Sequence, residues 1–235
     1  MDKKIAICFY GQVRDFDILN LLYKPWMKIK DYNVDFFISS WDDFDLSRLH
    51  INFKEANYFN LLEYKEGFNT LTREVTEKNL NQDLSPIYVA FHQQNVLKSK
   101  IEYETKNKIK YDFTILVRPD FYLEPIQTFK HIDNLFKSNL HNIDKPIVSL
   151  KGNITANRGS LELDGDAFYI ENRLGALYHS TIYSDIFENK KFKEFSIRYI
   201  NGTHNLYYTT FLANSFFLIR NNINSVIYNS LYGRK

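Results

Sequence analysis

The chain has 235 residues, of which 44% are hydrophobic and 25% are charged, values typical of a folded globular protein rather than of a disordered chain or a coiled coil. Its 30 Lys and Arg residues are scattered among 28 Asp and Glu residues, for a formal net charge of +2, so no basic stripe marks a nucleic-acid surface and we expect no nucleic-acid partner. This length predicts one domain over residues 1–235.

The first predicted elements form a strand, a helix and a second strand. Residues 5–10 are a near-continuous apolar run that Gly11 ends, which is typical of a strand buried on both faces. Apolar residues at three- and four-residue steps predict a helix over 15–30, and the apolar run 34–38 predicts a strand that stops at SSWDD. This order indicates a βαβ unit and hence a mostly parallel sheet. Cys8 lies inside the first run, so we expect a buried thiol and no disulfide, as in a reducing cytosol.

The rest of the chain continues the alternation of strands and helices. A further strand is predicted over 58–64 and a variable loop over 66–83. The longest helix is predicted to begin at Ser85, with Pro86 at its first position. The remaining predicted elements are strands over 113–117 and 146–150, a short strand running into a helix within 163–186, a helix that begins at Thr203, and edge strands over 216–219 and 226–228.

Two apolar segments bear on the location of the protein. The N-terminal apolar stretch is short and is followed by no small-residue cleavage site, so it predicts a strand and not a signal peptide. The most apolar late segment, 211–219, is shorter than the about 20 residues that cross a bilayer. We therefore expect a cytoplasmic protein without a transmembrane segment, which is peripheral at the membrane if its substrate is membrane-bound.

Polar side chains follow the first two predicted strands. Ligands of open α/β sheets bind outside the carboxyl ends of the strands, so these tips are candidate site residues. At the first tip, Gly11 allows close approach of a ligand to the backbone, while Gln12 and Arg14 supply hydrogen-bond donors. At the second tip, Trp41 supplies an indole face and Asp42 a carboxylate. As an alternative, the carboxylates of SSWDD cap a helix.

The third tip is the sequence Arg118-Pro119-Asp120, which follows the predicted strand 113–117. A carboxylate here can hold Mg²⁺ or Mn²⁺, which prefer oxygen ligands and bridge protein carboxylates to phosphates. The guanidinium of Arg118 can bind phosphate directly through paired donors. The alternative is a local Arg–Asp ion pair that caps the strand.

Two later segments add candidates. In DGDAF, Asp164 or Asp166 can act as the general base on an acceptor hydroxyl, or bind that hydroxyl; the alternative is a turn with a solvated carboxylate. His204 can contact a phosphate or a base from a helix start, although a lone histidine there is more often structural. The sequence has no phosphate-binding glycine loop, no nucleophile elbow and no Cys/His metal spacing.

Five segments taken together resemble a family of bacterial and viral glycosyltransferases with a GT-A-like nucleotide-diphospho-sugar fold: KIAICFYGQVRDF, VDFFISSWDD, YDFTILVRPDFYL, DGDAFYI and THNLYYTTFLAN. That family shows S-G-Q-x-R, H-T-W-D, R-x-R-P-D and D-Q-F-A-like segments in this order. The chain departs from it at Tyr10, where the family often has Ser, and at His204, within the segment that often reads H-P-E. Arg118 also replaces the first Asp of the usual D-x-D metal motif.

The resemblance implies a single GT-A-like, Rossmann-like α/β domain with a mostly parallel central sheet flanked by helices. It implies transfer of a sugar from a nucleotide-diphosphate donor to a hydroxyl of a glycan or lipid-linked glycan, in glycan or surface polysaccharide synthesis. The roles it implies are nucleotide binding by Gly11, Gln12, Arg14, Trp41 and Asp42, diphosphate binding by Arg118, Asp120 and His204, Mn²⁺ or Mg²⁺ binding by Asp120, and catalysis by Asp166 or Asp164.

Two other functions remain open at this point. A nucleotidyltransferase that builds the sugar nucleotide would use the same fold, although its usual Gly-rich first loop is missing here. A carbohydrate- or nucleotide-binding module would keep the fold without the chemistry. The product released, nucleoside diphosphate or pyrophosphate or neither, distinguishes all three.

Overall fold

The computed structural model describes residues 3–14, 16–29, 31–67, 85–121, 125–142, 144, 147–151, 154–155, 162–163, 168–181, 183–184 and 224–228. Strands and helices alternate along the chain. Their bounds are β1 Lys3–Tyr10, α1 Phe16–Tyr23 continued by a 3₁₀ turn Lys24–Lys28, β2 Tyr32–Trp41, a 3₁₀ turn Leu46–Arg48, β3 Phe53–Phe59, α2 61–67, α3 Ser85–Asn107, β4 Phe113–Val117, α4 Pro125–Lys137, β5 Ile147–Lys151, β6 Ile154–Thr155, β7 Glu162–Leu163, β8 Phe168–Asn172, α5 Arg173–His179 and β9 Asn224–Tyr228.

Seven of these strands form one sheet in the order β3-β2-β1-β4-β8-β5-β9. The pairs β3–β2, β2–β1, β1–β4 and β5–β9 are parallel, whereas β8 pairs antiparallel with both β4 and β5. Strands β6 and β7 form a separate antiparallel pair. The predicted α/β class with a mostly parallel central sheet is confirmed.

Side chains that alternate along β1 divide the core into two layers. Ile5, Ile7 and Phe9 pack with residues of α1 and α4 on one side of the sheet, which we call the α1 face. Cys8 lies on the opposite side, packed with residues of α3 and α5, which we call the α3 face. Because every residue from Ile5 to Tyr10 is fully buried, β1 has to be apolar at successive positions rather than at alternate ones.

Most predicted elements coincide with observed ones. The predicted strands 5–10, 113–117 and 146–150 match β1, β4 and β5, the helix predicted over 15–30 matches α1 with its 3₁₀ turn, and the strand predicted over 226–228 is the edge strand β9. The helix predicted from Ser85 is α3, the longest helix of the described residues. The strand running into a helix within 163–186 matches β8 and α5. Cys8 is buried, as predicted.

Two predictions about strands were wrong. The strand predicted over 58–64 lies earlier, as β3, and the chain is helical over 61–67. At the edge of the sheet, β3 alternates exposed and half-buried residues in its first half, so it carries no continuous apolar run that would reveal it. Strand β2 also extends through Ser39, Ser40 and Trp41, which are buried and do not form a loop.

Helix α4 was not predicted, although its sequence carries a helical signal. Pro125 lies at its first position, and Phe129, Ile132 and Leu135 are buried on the α1 face while Ile126 is exposed. The predicted loop 66–83 from residue 68 onward, the helix beginning at Thr203 and the strand 216–219 lie outside the described residues. None of the described helices is both long and apolar enough to cross a membrane.

Candidate functional site

The strand order reverses between β1 and β4. From β1 the chain moves to β2 and β3 on one side, and β4 then pairs with β1 on the other side. Loops after the carboxyl ends of two such strands diverge and leave a crevice, which is where open α/β sheets bind ligands. Strand β1 ends at Tyr10 and β4 ends at Val117, so Gly11 and Arg118 are the first residues at this crevice.

Gly11 makes the chain turn at the end of β1. Its φ angle is +92°, a conformation that residues with a side chain rarely adopt, and its N–H donates to the carbonyl of Ser39 at 3.0 Å. A Cβ atom added to Gly11 would meet no atom within 4 Å. The backbone conformation therefore explains this glycine, and close approach of a ligand to it stays a prediction.

The tips of β1 and β2 are joined by their side chains. Gln12 Nε2 donates to Asp43 Oδ2 at 2.8 Å, and the neighbouring Asp42 is exposed. Neither Asp42 nor Asp43 is the residue that starts the next turn, because Asp45 Oδ1 accepts from the backbone N–H and the hydroxyl of Ser47. The alternative that the carboxylates of SSWDD cap a helix is therefore wrong, because Asp45 is the capping residue. Asp42 and Asp43, at the tip of β2, are exposed to solvent.

Trp41 lies one residue before these carboxylates but is only 4% exposed. Its indole contacts the rings of Tyr64, Phe91 and His92, with centroids 5.3, 6.1 and 4.2 Å away. Burial removes His92 from water and lowers its pKa to about 3, so the imidazole is neutral near pH 7. The indole packs within the protein, and a nucleotide-binding role for Trp41 stays a prediction.

Arg118 and Asp120 form a bidentate ion pair at the tip of β4. Arg118 Nε donates to Asp120 Oδ1 at 2.9 Å, and Arg118 Nη2 donates to Oδ2 at 2.7 Å. Arg14, from the tip of β1, adds a second guanidinium, with Nη1 at 3.5 Å from Asp120 Oδ2. The local ion pair anticipated as an alternative is therefore present, and it is shared with an arginine from the neighbouring strand.

A hydrogen bond across the turn fixes the position of Asp120. The Phe121 N–H donates to the Arg118 carbonyl at 3.1 Å, closing a turn over Pro119 and Asp120. The hydroxyl of Tyr23, in the last turn of α1, donates to the Phe121 carbonyl at 2.9 Å. Burial, and secondly the charge of Asp120, raise the pKa of Tyr23 well above its ordinary value, which keeps the hydroxyl protonated as a donor. Tyr23 was not predicted as a site residue, since nothing in its local pattern distinguishes it from a core tyrosine.

The described residues do not suit a divalent cation at Asp120. Both oxygens of this carboxylate accept from Arg118, and Arg14 lies beside the second oxygen. Mn²⁺ and Mg²⁺ need several oxygen ligands, and two guanidiniums repel a cation at this distance. Within the part of the chain that the structure describes, no three His, Cys, Asp or Glu side chains form a group that could hold a metal ion.

Three predicted site residues, Asp164, Asp166 and His204, lie outside the described residues. Strand β8, which follows Asp166 in the sequence, begins at Phe168, and Phe168 pairs with Val117 at the carboxyl end of β4. The start of β8 therefore adjoins the crevice, because β8 runs antiparallel to β4.

The crevice thus combines two kinds of polar group. Arg14 and Arg118 supply guanidinium donors at the tips of β1 and β4, whereas Asp42 and Asp43 supply carboxylate acceptors at the tip of β2. Guanidiniums bind phosphate oxygens through paired, charge-assisted hydrogen bonds, and carboxylates accept hydrogen bonds from hydroxyls. A ligand with both phosphates and sugar hydroxyls would match this arrangement.

No protein-family model matches the chain, and no curated protein matches it. Among solved structures, it is similar to one described as the crystal structure of a glycosyltransferase involved in the glycosylation of the major capsid of PBCV-1. The superposition has a TM-score of 0.46 at 10% identity and covers 97% of this chain and 82% of that chain.

Proposed function

We propose that the protein is a glycosyltransferase that moves a sugar from a nucleotide-diphosphate donor to an acceptor hydroxyl. The observation that carries the proposal is the crevice between β1 and β4, where Arg14 and Arg118 meet at Asp120 next to the carboxylates that follow β2. Phosphates of the donor would contact the arginines, and ribose or sugar hydroxyls would contact Asp42 or Asp43. The family resemblance of the five sequence segments supports the same assignment.

The chemistry follows from the charges at the crevice. Breaking the anomeric bond leaves negative charge on the departing diphosphate, and positioned guanidiniums stabilise that charge more in the transition state than in the bound donor. Arg118 is well placed for this task, since its side chain is only 15% exposed and its fork is already held by Asp120. A second group must take the proton of the acceptor hydroxyl.

We assign that proton transfer to Asp166, with Asp164 as the other candidate. Asp166 stands two residues before Phe168, where β8 begins beside the tip of β4. A contact of His204 with the diphosphate remains a prediction, as does a glycan or lipid-linked glycan acceptor.

A panel of nucleotide sugars tests the function. Release of nucleoside diphosphate on addition of an acceptor supports sugar transfer, and binding without turnover supports a non-catalytic module. Release of pyrophosphate in a parallel assay with nucleoside triphosphates and sugar 1-phosphates supports a nucleotidyltransferase. The panel is run in Mn²⁺, in Mg²⁺ and in chelator. Absence of nucleoside diphosphate release from every donor would overturn the proposal.

Matched variants then locate the site. Arg118→Lys keeps the charge but removes the paired donors, so it should lower kcat/KM by about 10- to 100-fold. Arg173→Lys is the control, because Arg173 is exposed and follows Asn172, which pairs with Phe113 at the amino end of β4, far from the tip that carries Arg118. Asp166→Asn should abolish turnover while donor affinity is retained, and Asp164→Asn tests the other candidate. Equal activity of Arg118→Lys and the control would remove Arg118 from the site.

A further inference from the structure

Resting on the proposed function, we propose that Asp120 positions a pair of arginines that bind the diphosphate, and that it does not coordinate a metal ion. The residues concerned are Arg14 and Arg118, which come from the tips of two neighbouring strands and meet at one carboxylate. Their side chains are exposed to different degrees, 60% for Arg14 and 15% for Arg118. The less exposed Arg118 is the fixed member of the pair, and the exposed Arg14 is the one that incoming phosphate can reach directly.

The geometry of Asp120 is that of an orienting group. Its two oxygens accept from Nε and Nη2 of Arg118, so the plane of the guanidinium is set by the carboxylate. The carboxylate is itself held by the closed turn from Arg118 to Phe121 and by the hydrogen bond from Tyr23 to Phe121. A guanidinium held in this way loses little conformational entropy when phosphate binds, which strengthens binding without any added contact.

Charge points in the same direction. At Asp120 the described ion pairs place two guanidiniums against one carboxylate, and these guanidiniums attract a diphosphate and repel Mn²⁺ or Mg²⁺ from this carboxylate. A metal ion at Asp120 would have to displace charge-assisted hydrogen bonds from both oxygens of that carboxylate. The arginine pair therefore supplies directly the positive charge that a cation would otherwise bring to the diphosphate.

The decisive measurement is the binding of inorganic pyrophosphate in the presence of excess EDTA, by calorimetry. The wild-type chain should bind pyrophosphate under these conditions, and Asp120→Asn should weaken binding by about tenfold, because one charge-assisted hydrogen bond is lost and the fork is no longer held. Arg173→Lys should bind like the wild type. If pyrophosphate binds only when Mn²⁺ or Mg²⁺ is added, or if Asp120→Asn leaves the affinity in EDTA unchanged, the proposal is overturned.

A double-mutant cycle shows whether Asp120 acts through Arg118. If it does, Asp120→Asn should cost little further affinity in a chain that already carries Arg118→Lys, so the two effects are not additive. If the two substitutions reduce pyrophosphate affinity by factors that multiply in the double variant, Asp120 contributes independently of Arg118, and the positioning role is overturned. A role limited to general stability would lower the melting temperature without producing this pattern for pyrophosphate.

Arg14 provides a test that does not remove either member of the Arg118–Asp120 ion pair. Arg14→Gln removes an exposed guanidinium, so the chain should fold normally and bind pyrophosphate several-fold more weakly, with a shallower dependence on salt. Unchanged affinity of Arg14→Gln would exclude the paired arrangement even if Asp120→Asn failed to fold. If pyrophosphate binds as expected but no nucleotide sugar is turned over, the positioning role of Asp120 stands and the proposed glycosyltransferase function is refuted. If turnover depends strictly on Mn²⁺ or Mg²⁺, the glycosyltransferase function stands and the metal-independent arginine pair is refuted.

Discussion

Within the described residues, the α1 face of the sheet is packed mainly with apolar and aromatic side chains, whereas the α3 face also buries charged groups. On the α1 face, Phe9 meets Tyr23 edge to face with ring centroids 4.6 Å apart. On the α3 face, Lys100 Nζ lies 3.0 Å from Glu104 Oε2, with both side chains nearly or fully buried. The difference comes from the helices that cover the two faces and from Glu171 of β8, a buried charged residue on the α3 face.

The α3 face contains a second buried pair. Glu171 on β8 contacts His179 on α5, with Oε1 and Nδ1 2.5 Å apart and both side chains almost completely buried. Gln93 is also fully buried, and among the residues that the structure describes neither end of its side-chain amide has a hydrogen-bond partner. Burial of apolar groups stabilises a fold under most conditions, whereas buried polar groups stabilise it only while their partners and protonation states are kept. We therefore expect the two faces to respond differently to substitution and to pH.

The largest expected effect comes from breaking the buried ion pair. Lys100→Met leaves Glu104 buried without its partner and should lower the free energy of unfolding by about 3–5 kcal/mol. Adding Glu104→Gln should recover part of this loss, because the amide oxygen can still accept from the Tyr111 N–H, as Glu104 Oε1 does at 2.9 Å. Urea unfolding at pH 7 measures both variants. A loss below about 1 kcal/mol in Lys100→Met would show that the pair tolerates separation.

The next effect is a pH dependence that arises at His92. Its imidazole accepts or donates a 2.9 Å hydrogen bond with Ser39, and burial lowers its pKa from 6.5 to about 3. Below pH 6.5 the unfolded chain binds a proton at His92 that the folded chain does not, so stability falls as pH decreases toward 3. At pH 5 the expected contribution is a loss of about 2 kcal/mol relative to pH 7.

His92→Gln is the variant that isolates this dependence. It retains a side chain able to bond to Ser39 but cannot titrate, so the difference in unfolding free energy between pH 7 and pH 5 should shrink by about 2 kcal/mol. Urea unfolding of both proteins at the two pH values gives this difference directly. Equal pH dependence of the two proteins would contradict a neutral, buried His92.

A substitution on the α1 face should lower the free energy of unfolding by a smaller amount, and this loss should not depend on pH. Phe9→Leu keeps most of the buried volume but loses the edge-to-face contact with Tyr23 and the stacking on Phe36, so we expect a cost of about 1 kcal/mol. The same cost should be found at pH 7 and at pH 5. A cost that grows on acidification would show that the α1 face is coupled to titrating groups.

The smallest effect is expected at the half-exposed end of the α1 face. Asp133 accepts from Lys3 Nζ at 2.5 Å and from the Tyr32 hydroxyl; burial opposes its ionisation, but these contacts outweigh burial and lower its pKa. Its contribution is therefore present above the ordinary carboxylate pKa and is lost as pH falls through the lowered value. Asp133→Asn should cost about 0.2–1 kcal/mol at pH 7, and less in high salt. A larger cost that salt does not reduce would contradict a solvent-screened pair.

The contrast between the faces also explains which elements could be predicted. Strand β1 and helix α1 were predicted because their burial appears directly in the order of apolar residues. Helix α3 was predicted, but the burial of its polar residues His92, Gln93 and Lys100 was not, because polar residues at helical spacing ordinarily face solvent. Strand β3 was misplaced, since a half-exposed edge strand needs no continuous apolar run.

At the site, the chain segments could be predicted from the sequence, whereas the contacts between them could not. The tips of β1, β2 and β4 were predicted because polar residues follow apolar runs there. Which of their side chains meet depends on the order of strands in the sheet. Local sequence patterns do not show which strands become neighbours. The pairing of Arg14 with Asp120, over a separation of 106 positions in the chain (120 − 14), is such a case.

By itself the sequence determined the α/β class, the strands of the central sheet that are buried on both faces, and the polar residues at their ends, because burial on two sides demands uninterrupted apolar runs and glycine marks the turn that ends β1. Only the tertiary structure decided that Trp41 is covered by other rings, that Lys100 is buried, and that two arginines share Asp120. These outcomes depend on contacts between segments far apart in the chain, whose energies arise only when the sheet and its covering helices bring them together.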